Sequence, residues 1–508
     1  MSELDPQPPS FQLPPPPIPQ DVEWRRLDPR MLLVHPVNEL IKFLPVLIGF
    51  FVLGSTGGGE LWQTAGVAIP IAVGVLRFLT TRFRITATQI ELQRGLLSRS
   101  VLTARLDRVR AVELTSSPIH QLLRLAKVEI GTASAAKDDD ESFALDGLPL
   151  VEARELRVAL LHRAEPSGDD GDGVVGPAGL AEDEVLLRFD PRWVRYAPLT
   201  TSGTVIAAAV LAATGQFTNG ILQRLSDDSW LVRYVEDNPG TVVALALVAF
   251  LVVGAVFSVL GYLVQNWGFT LARDVRGRTF HVRRGLLTTR ETSLEVRRVR
   301  GLEVGEPLGL RLVGAARLGA VVTGVSKKES GTTLIVPTAP RGIIDTTGSA
   351  TLGTSEPLHL PLRSHGPRAR RRRYTRALAV ASLLPVVVLV LALATPLPVW
   401  TVVPALLALP VAAAIAADRY RQLGHVLADD HLVVRSGTFR GRRDVLQRTG
   451  IIGWNLHQSW FQRRAGLATL VATTAAGHQA YAAIDIPADE AVALADAAVP
   501  GLLTPFLA

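Results

Sequence analysis

The sequence predicts a mixed membrane fold, α-helical hairpins plus α+β: six transmembrane helices in three pairs, alternating with three antiparallel β-barrel domains that are each closed by a C-terminal helix. Three observations lead there. The chain has 508 residues, of which 48% are hydrophobic and only 19% charged, too apolar for an ordinary soluble protein of this length. The apolar residues gather into six runs spaced as three pairs. The polar segment after each pair carries a recurring motif, and a period far longer than the ~20–50 residues of solenoid repeats means duplicated domains.

Taken in order, residues 1–37 form a tail and a juxtamembrane segment. Eight prolines among residues 1–19 predict an extended, disordered stretch. No small-residue cleavage site follows the first apolar run, so a signal peptide is not expected. The apolar runs are Leu40 to Leu53, Leu61 to Leu79, Ala197 to Thr214, Thr241 to Val264, Ala377 to Ala394 and Val399 to Ala417, against the roughly 20 residues that a spanning helix needs. Thr241 to Val264 has no charged residue across 24 positions, whereas Leu40 to Leu53 is short enough to be re-entrant. Pro45, Pro70, Pro385, Pro404 and Pro410 interrupt several runs, which lipid tolerates where neighbouring helices cover the freed carbonyls.

Flanking charge orients the hairpins. Arg25, Arg26 and Arg30 precede the first and Arg77, Arg82 and Arg84 mark its exit; Arg188, Arg192 and Arg195 precede the second; Arg368, Arg370 to Arg373 and Arg376 precede the third. The turns Gly54 to Glu60 and Thr395 to Pro398 carry no Lys or Arg. The positive-inside bias then places both termini and all three polar segments in the cytoplasm of a bacterial inner membrane. The expected organisation is hairpins at 38–80, 197–265 and 377–417, barrels at 82–163, 267–356 and 420–505, a linker at 164–196 and a basic juxtamembrane segment at 357–376.

The repeat is read in the polar segments. Ile90-Glu91-Leu92-Gln93-Arg94-Gly95-Leu96-Leu97 is matched by Phe280-His281-Val282-Arg283-Arg284-Gly285-Leu286-Leu287, and Asp107-Arg108-Val109-Arg110-Ala111-Val112 by Arg297-Arg298-Val299-Arg300-Gly301-Leu302. The interval from glycine to second arginine is 13 residues in both, Gly95 to Arg108 and Gly285 to Arg298. The third copy is looser, with Ser436-Gly437-Thr438-Phe439 and then Leu446-Gln447-Arg448, so that Arg448 follows its glycine two residues early. Alternating apolar residues bounded by glycine turns predict strands. Val151, Leu156, Ala159 and Leu160 at helical spacing predict the first closing helix, and 487–499 the third; Pro337 to Thr351 is rich in Gly, Thr and Pro, so the second helix is expected to be absent or displaced.

A hairpin followed by Arg-Gly-Leu-Leu in a strand turn and then Arg-Val-x-x-Val resembles the bacterial PH, or membrane-flanked, domain family, and the threefold tandem is similar to its YdbT-like multi-copy members. The resemblance covers about residues 24–500 and implies PH-like barrels. It also implies a place among proteins linked to envelope stress or to resistance against membrane-active peptides.

Chemistry is constrained by what is missing. The absence of cysteine removes disulfides, thiolate metal sites and thiol nucleophiles. No phosphate-binding Gly-x-x-x-x-Gly-Lys loop, His-Glu-x-x-His pair or Gly-x-Ser-x-Gly elbow is present, so no enzyme, cofactor or metal site is expected. Asp138-Asp139-Asp140-Glu141 reads as a solvated turn and Asp169-Asp170-Gly171-Asp172-Gly173 as linker. The spanning runs lack the buried ionisable residues of carriers, which leaves a transporter or channel as the alternative to a binding or scaffolding protein. Net charge is +7, and 48 of the 53 basic residues are arginine. Because guanidinium groups match phosphate and each basic residue near an anionic leaflet contributes about 1 kcal/mol, Arg94, Arg99, Arg105, Arg108, Arg283, Arg284, Arg297 and Arg298 are the candidate anion-binding residues, with Arg110, Arg290 and Arg300 beside them. Solvated surface charge in an arginine-rich chain is the competing explanation. The expected partners are the lipid bilayer, its anionic headgroups or a membrane protein, and not nucleic acid: the Arg368 to Arg376 run abuts a span and has no interleaved aromatics.

Overall fold

The computed structural model describes residues 24–34, 72–132 and 234–323 with short gaps, 143–163, 184–200 and 332–501. They form two compact units, and the second repeat is divided between them at Arg298 and Val299.

The first unit holds the described residues up to Arg188 together with Trp267–Arg298. Strands β1 (Arg25–Arg26), β2 (Arg82–Ile85), β3 (Gln89–Arg94) and β4 (Ser100–Arg105) form an antiparallel sheet in that order. Alternation along β2 and β3 buries Phe83, Ile85, Ile90 and Leu92 on one face. Next in the chain come β5 (Val109–Ser116), helix α1 (Pro118–Leu123), β6 (Leu125–Thr132), β7 (Phe143–Pro149) and helix α2 (Leu150–Arg163). Ser117 caps α1 by accepting a hydrogen bond from the His120 amide. Val112, Leu114, Val128, Ile130 and Leu145 face the apolar side of the first sheet across one core. Ala153, Leu156 and Leu160 of α2 complete that core, while Val151, expected on the same stripe, is exposed.

One closed barrel per repeat is the sequence expectation, and the described strands form none. Although β4 and β5 are adjacent in sequence, they lie in different sheets. The free side of β5 is taken by the next repeat, whose strands are β8 (Glu184–Arg188), β9 (Thr270–Arg273), β10 (Thr279–Arg284) and β11 (Thr289–Glu295). The result is a seven-stranded sheet, β7-β6-β5-β11-β10-β9-β8. Strand amides need partners, and β5 finds them in β11, which leaves no pairing for barrel closure.

Strands β1 and β8 precede their hairpins and pair with β2 and β9, which follow them, so that the two ends of each hairpin are zipped together. Behind β1 lies Asp28-Pro29-Arg30-Met31, where Asp28 Oδ1 accepts from the Arg30 amide at 2.8 Å and Met31 is fully buried. Met31 packs over Gly147 of β7, whose φ is +91° and whose missing Cβ would sit 2.1 Å from Met31 Cγ.

The second unit contains Phe189–Asn266, Val299–Thr323 and the described residues from Thr332 onward. Phe189-Asp190-Pro191-Arg192-Trp193 repeats the first juxtamembrane turn: Asp190 Oδ1 accepts from the Arg192 amide at 2.8 Å and Trp193 is buried. This turn starts a 3-10 segment, Pro191–Leu199, that packs on helix α3 (Pro239–Asn266). Then follow β12 (Val299–Gly305), α4 (Leu308–Leu312), β13 (Ala315–Val322), β14 (Thr333–Pro340), α5 (Arg341–Leu352) and α6 (Glu356–His359). The closing helix expected to be absent or displaced is therefore present as α5. Its Gly and Thr residues serve close packing, since Ile344, Gly348 and Thr351 form the buried stripe and Gly348 lies against Leu358.

Helices α7 (Gly366–Ala381), α8 (Leu383–Ala394), α9 (Val402–Leu406) and α10 (Ala408–Arg421) make the third hairpin. The breaks follow proline chemistry. Pro385 and Pro410 have no N–H for the carbonyls four residues earlier, and the helices restart near Ser382 and Leu407. Among the described residues three helices are long and apolar enough to cross a membrane, Gly240–Asn266, Gly366–Ala394 and Val399–Arg421. Of the six expected spans, Leu40 to Leu53 and most of Leu61 to Leu79 and of Ala197 to Thr214 lie outside the described residues; Ala197 itself belongs to the 3-10 segment.

The third repeat supplies β15 (Gly424–Leu427), β16 (His431–Ser436), β17 (Arg442–Gln447), β18 (Ile451–His457), α11 (Trp460–Ala465), β19 (Leu467–Thr474), β20 (Ala480–Pro487) and α12 (Ala488–Ala498). The order β14-β13-β12-β17-β16-β15 reproduces the junction of the first unit, and β18-β19-β20 stand as a three-stranded sheet. The motif glycines Gly285 and Gly437 have φ of +109° and +98° and lie with a backbone carbonyl where a Cβ would be. Contrary to the sequence reading, the third copy is not shortened. The turn Arg448–Gly450 occupies the place of Val296–Arg298, so Gly450, 13 residues after Gly437, stands where the other copies have arginine.

We expect Gly147→Val to lower the thermal stability of the first unit by about 1–3 kcal/mol, because it overpacks Met31 and forces a β-branched residue into the left-handed region. Thermal unfolding followed at a tryptophan signal checks it, and Met31→Ala in the same chain should restore part of the loss.

Candidate functional site

Both inter-repeat junctions use one register. In the first unit Glu113 of β5 lies opposite Thr292 of β11, and Thr115 opposite Arg290. In the second, Glu303 of β12 lies opposite Asp444 of β17, and Gly305 opposite Arg442. Each junction collects arginines around few carboxylates.

In the first unit Glu291 receives Arg157 at 3.2 Å, Arg154 at 3.4 Å and Arg283 at 3.6 Å. Arg290 approaches Glu113 at 3.9 Å. Arg297 and Arg298 both meet Glu295, at 2.9 and 2.8 Å. Of the other sequence-predicted residues, Arg105 is exposed on β4 and Arg284 is half-buried at the end of β10. Arg94 ends β3 opposite Ser100, while Arg99 and Arg108 lie outside the described residues. Arg283, Arg297 and Arg298 are thus bound up in ion pairs that span strands and turns. Such partly exposed pairs are worth little individually, and they fix side-chain positions more than they add stability.

The second unit holds a stronger concentration. A cavity of about 300 Å³ is lined by Glu306, Arg311, Arg341, Arg435 and Arg443 with Gly314 and Ala315. Arg341 pairs with Glu306 and, at 2.8 Å, with Asp345. Arg435 reaches Glu306 at 3.3 Å, and Arg311 reaches Asp418 of α10 at 2.6 Å. Arg443, only 8% exposed, donates to the carbonyls of Pro357 and Leu360. Burial and the neighbouring Arg341 and Arg435 push its pKa down to about 10, and burial beside Arg311 and Arg341 lowers that of Arg435. Four guanidinium groups face three carboxylates, so positive charge is in surplus. Bidentate donors at this density suit a phosphate or carboxylate.

None of these four arginines was among the sequence candidates. Arg435 shares its repeat position with Arg283, which is the one signal available in the sequence. Arg311, Arg341 and Arg443 come from three different elements, and only sheet pairing across repeats brings them together.

The bacterial PH domain family matches the chain three times, at residues 43–164, 206–338 and 377–498. The chain belongs to the bacterial PH domain family. The first match ends just past α2 and the third on the last residue of α12, so a family unit is a hairpin with the two half-sheets that follow it. A Bacillus subtilis (strain 168) protein named transmembrane protein YdbT is similar at 19% identity over 338 residues, 62% of this chain and 66% of that relative, so just under two thirds of the relative's length is spanned. No solved structure matches the chain.

The other side of the family's second junction carries a wider cavity of about 470 Å³, lined by Glu303, Arg317, Arg440, Arg442 and His478 among others. Here charge is mixed, with His478 Nε2 2.9 Å from Glu303. Beneath it Asp444 is 1% exposed. Burial raises its pKa to about 7, aided by Glu303 opposite and opposed by Arg442 at 3.1 Å. Its Oδ1 has no hydrogen-bond partner among the described residues. A carboxyl whose folded pKa lies above its unfolded value near 3.9 binds an extra proton in the folded state between those two values, so stability falls as pH rises from about 4 to about 7 and is level above. Asp444→Asn should therefore gain stability over the parent at pH 8 and lose that advantage toward pH 4, as read by denaturant titration at both pH values.

Proposed function

We propose that this chain is a non-enzymatic, membrane-anchored binding protein whose PH-like sheets face the cytoplasm and hold a phosphate-bearing anion at the arginine cavity of the second unit. One observation carries the reading: Arg311, Arg341, Arg435 and Arg443 converge on a 300 Å³ cavity, one of them tied to Asp418 near the end of an apolar helix long enough to span. A site at that end of a span stands at the level of lipid headgroups, and an anion there would relieve the repulsion among the four guanidinium groups. Scaffolding in envelope stress is the wider role that fits such a protein, with the headgroup as its membrane contact.

The test uses the full-length protein in nanodiscs of neutral lipid. Short-chain phosphatidylglycerol should bind saturably, and Arg341→Gln and Arg435→Gln should each weaken it about tenfold, since a charge-assisted hydrogen bond contributes roughly 1.5–3 kcal/mol. Inorganic phosphate in a parallel titration separates a free anion from a lipid headgroup. Equal binding of anionic and zwitterionic lipid, or no change in either variant, would overturn the reading.

A further inference from the structure

Two half-junctions stand open among the described residues. Among the described residues β4 has a strand partner on one side only, β3, and β18 likewise has only β19. Both belong to positions that are paired elsewhere. The repeat equivalents of β4 are β11 and β17, and each pairs with the strand, β5 or β12, that corresponds to β18 in the repeat before. Among the described residues no strand covers the free side of β4 or of β18.

Exposure records the difference. Leu114 and Val304, in β5 and β12, are 3% and 0% exposed; Leu456 at the same position of β18 is 46% exposed. On the other side, Arg443 of β17 is 8% exposed, whereas Val101, its equivalent in β4, is 54% exposed. An apolar edge strand left open is a template for pairing with another chain. The two open edges differ from one another, and each has the form of the other's missing neighbour.

We propose that β4 of one copy pairs antiparallel with β18 of a second copy, in the register of the internal junctions. That register sets Ser100 opposite His457 and Val101 opposite Leu456, by analogy with Arg290 opposite Thr115 and Arg443 opposite Val304. The joined sheet reads β20-β19-β18-β4-β3-β2-β1, the order already built inside the first unit. Because donor and acceptor edges are different surfaces, the contact is head-to-tail and propagates from copy to copy.

The chain has no native cysteine, which makes the test direct. Full-length chains carrying Val101→Cys and Leu456→Cys, each with a different affinity tag, are reconstituted together in lipid and oxidised. A disulfide-linked heterodimer is expected, and replacing the second chain by one with Ile452→Cys, out of register, should abolish it. Cross-linking that is absent, equal for both partners, or seen only when both cysteines sit on one chain would overturn the proposal. As a second measurement, Val101→Lys and Leu456→Lys should each convert higher-mass species to monomer in native mass spectrometry with unchanged thermal unfolding, both side chains being exposed. Neither residue lines the arginine cavity, so anion binding in these variants reports on the proposed function separately.

Discussion

The amides of the strand that opens each second half-sheet, β5, β12 and β18, decide the architecture. Among the described residues none of these strands hydrogen-bonds to the strand that precedes it in the chain. An extended backbone cannot leave a row of polar groups unpaired in a packed structure without a cost of about 1–3 kcal/mol per buried group. The first two meet this need by accepting β11 and β17 from the next repeat. Continuous sheets then run from one repeat into its successor, and the second repeat becomes divided between two compact units.

Membrane attachment is built on the same plan. A strand or bridge before each hairpin pairs with the first strand after it, as β1 with β2, β8 with β9 and Arg363 with His425. The last strand of each repeat also receives, two residues before its terminal proline, a side chain from a juxtamembrane segment or a hairpin helix, by three different chemistries. Met31 packs on Gly147 in the first repeat. Tyr262 donates to the Thr338 carbonyl at 2.8 Å in the second. In the third, Arg372 and Arg373 converge on Asp485, which is fully buried and which Gln462 also holds at 2.9 Å. Burying that carboxylate costs solvation, and the two arginines offset it only together with the added hydrogen bond. Part of the basic run before the third hairpin is therefore structural.

Arginine serves several ends in this chain. Arg297 and Arg298 hold a turn through Glu295, and Arg154, Arg157 and Arg283 bind across a junction to Glu291. Around Glu306, by contrast, four guanidinium groups line one cavity of about 300 Å³. Charge count along the sequence does not separate these cases. What separates them is whether a carboxylate lies within reach, and that depends on strand pairing.

The sequence by itself determined the membrane character, the threefold repeat, the glycine turns at Gly285 and Gly437 and the strands around them, because hydropathy and alternation are local properties of the chain. It mistook the third copy's spacing, since Arg448 resembles Arg108 more than Gly450 does, and it undervalued α5, whose Gly348 is small in order to pack. It also held the Asp-Pro-Arg turn twice, at Asp28 and Asp190, as a legible signal of what precedes the first two hairpins. Tertiary structure alone decided that the sheets stay open and cross between repeats, and that Arg311, Arg341, Arg435 and Arg443 meet. Both outcomes rest on which strand accepts another's backbone hydrogen bonds, and residues more than a hundred positions apart, such as Glu303 and Asp444, carry no mark of that choice in their own neighbourhoods.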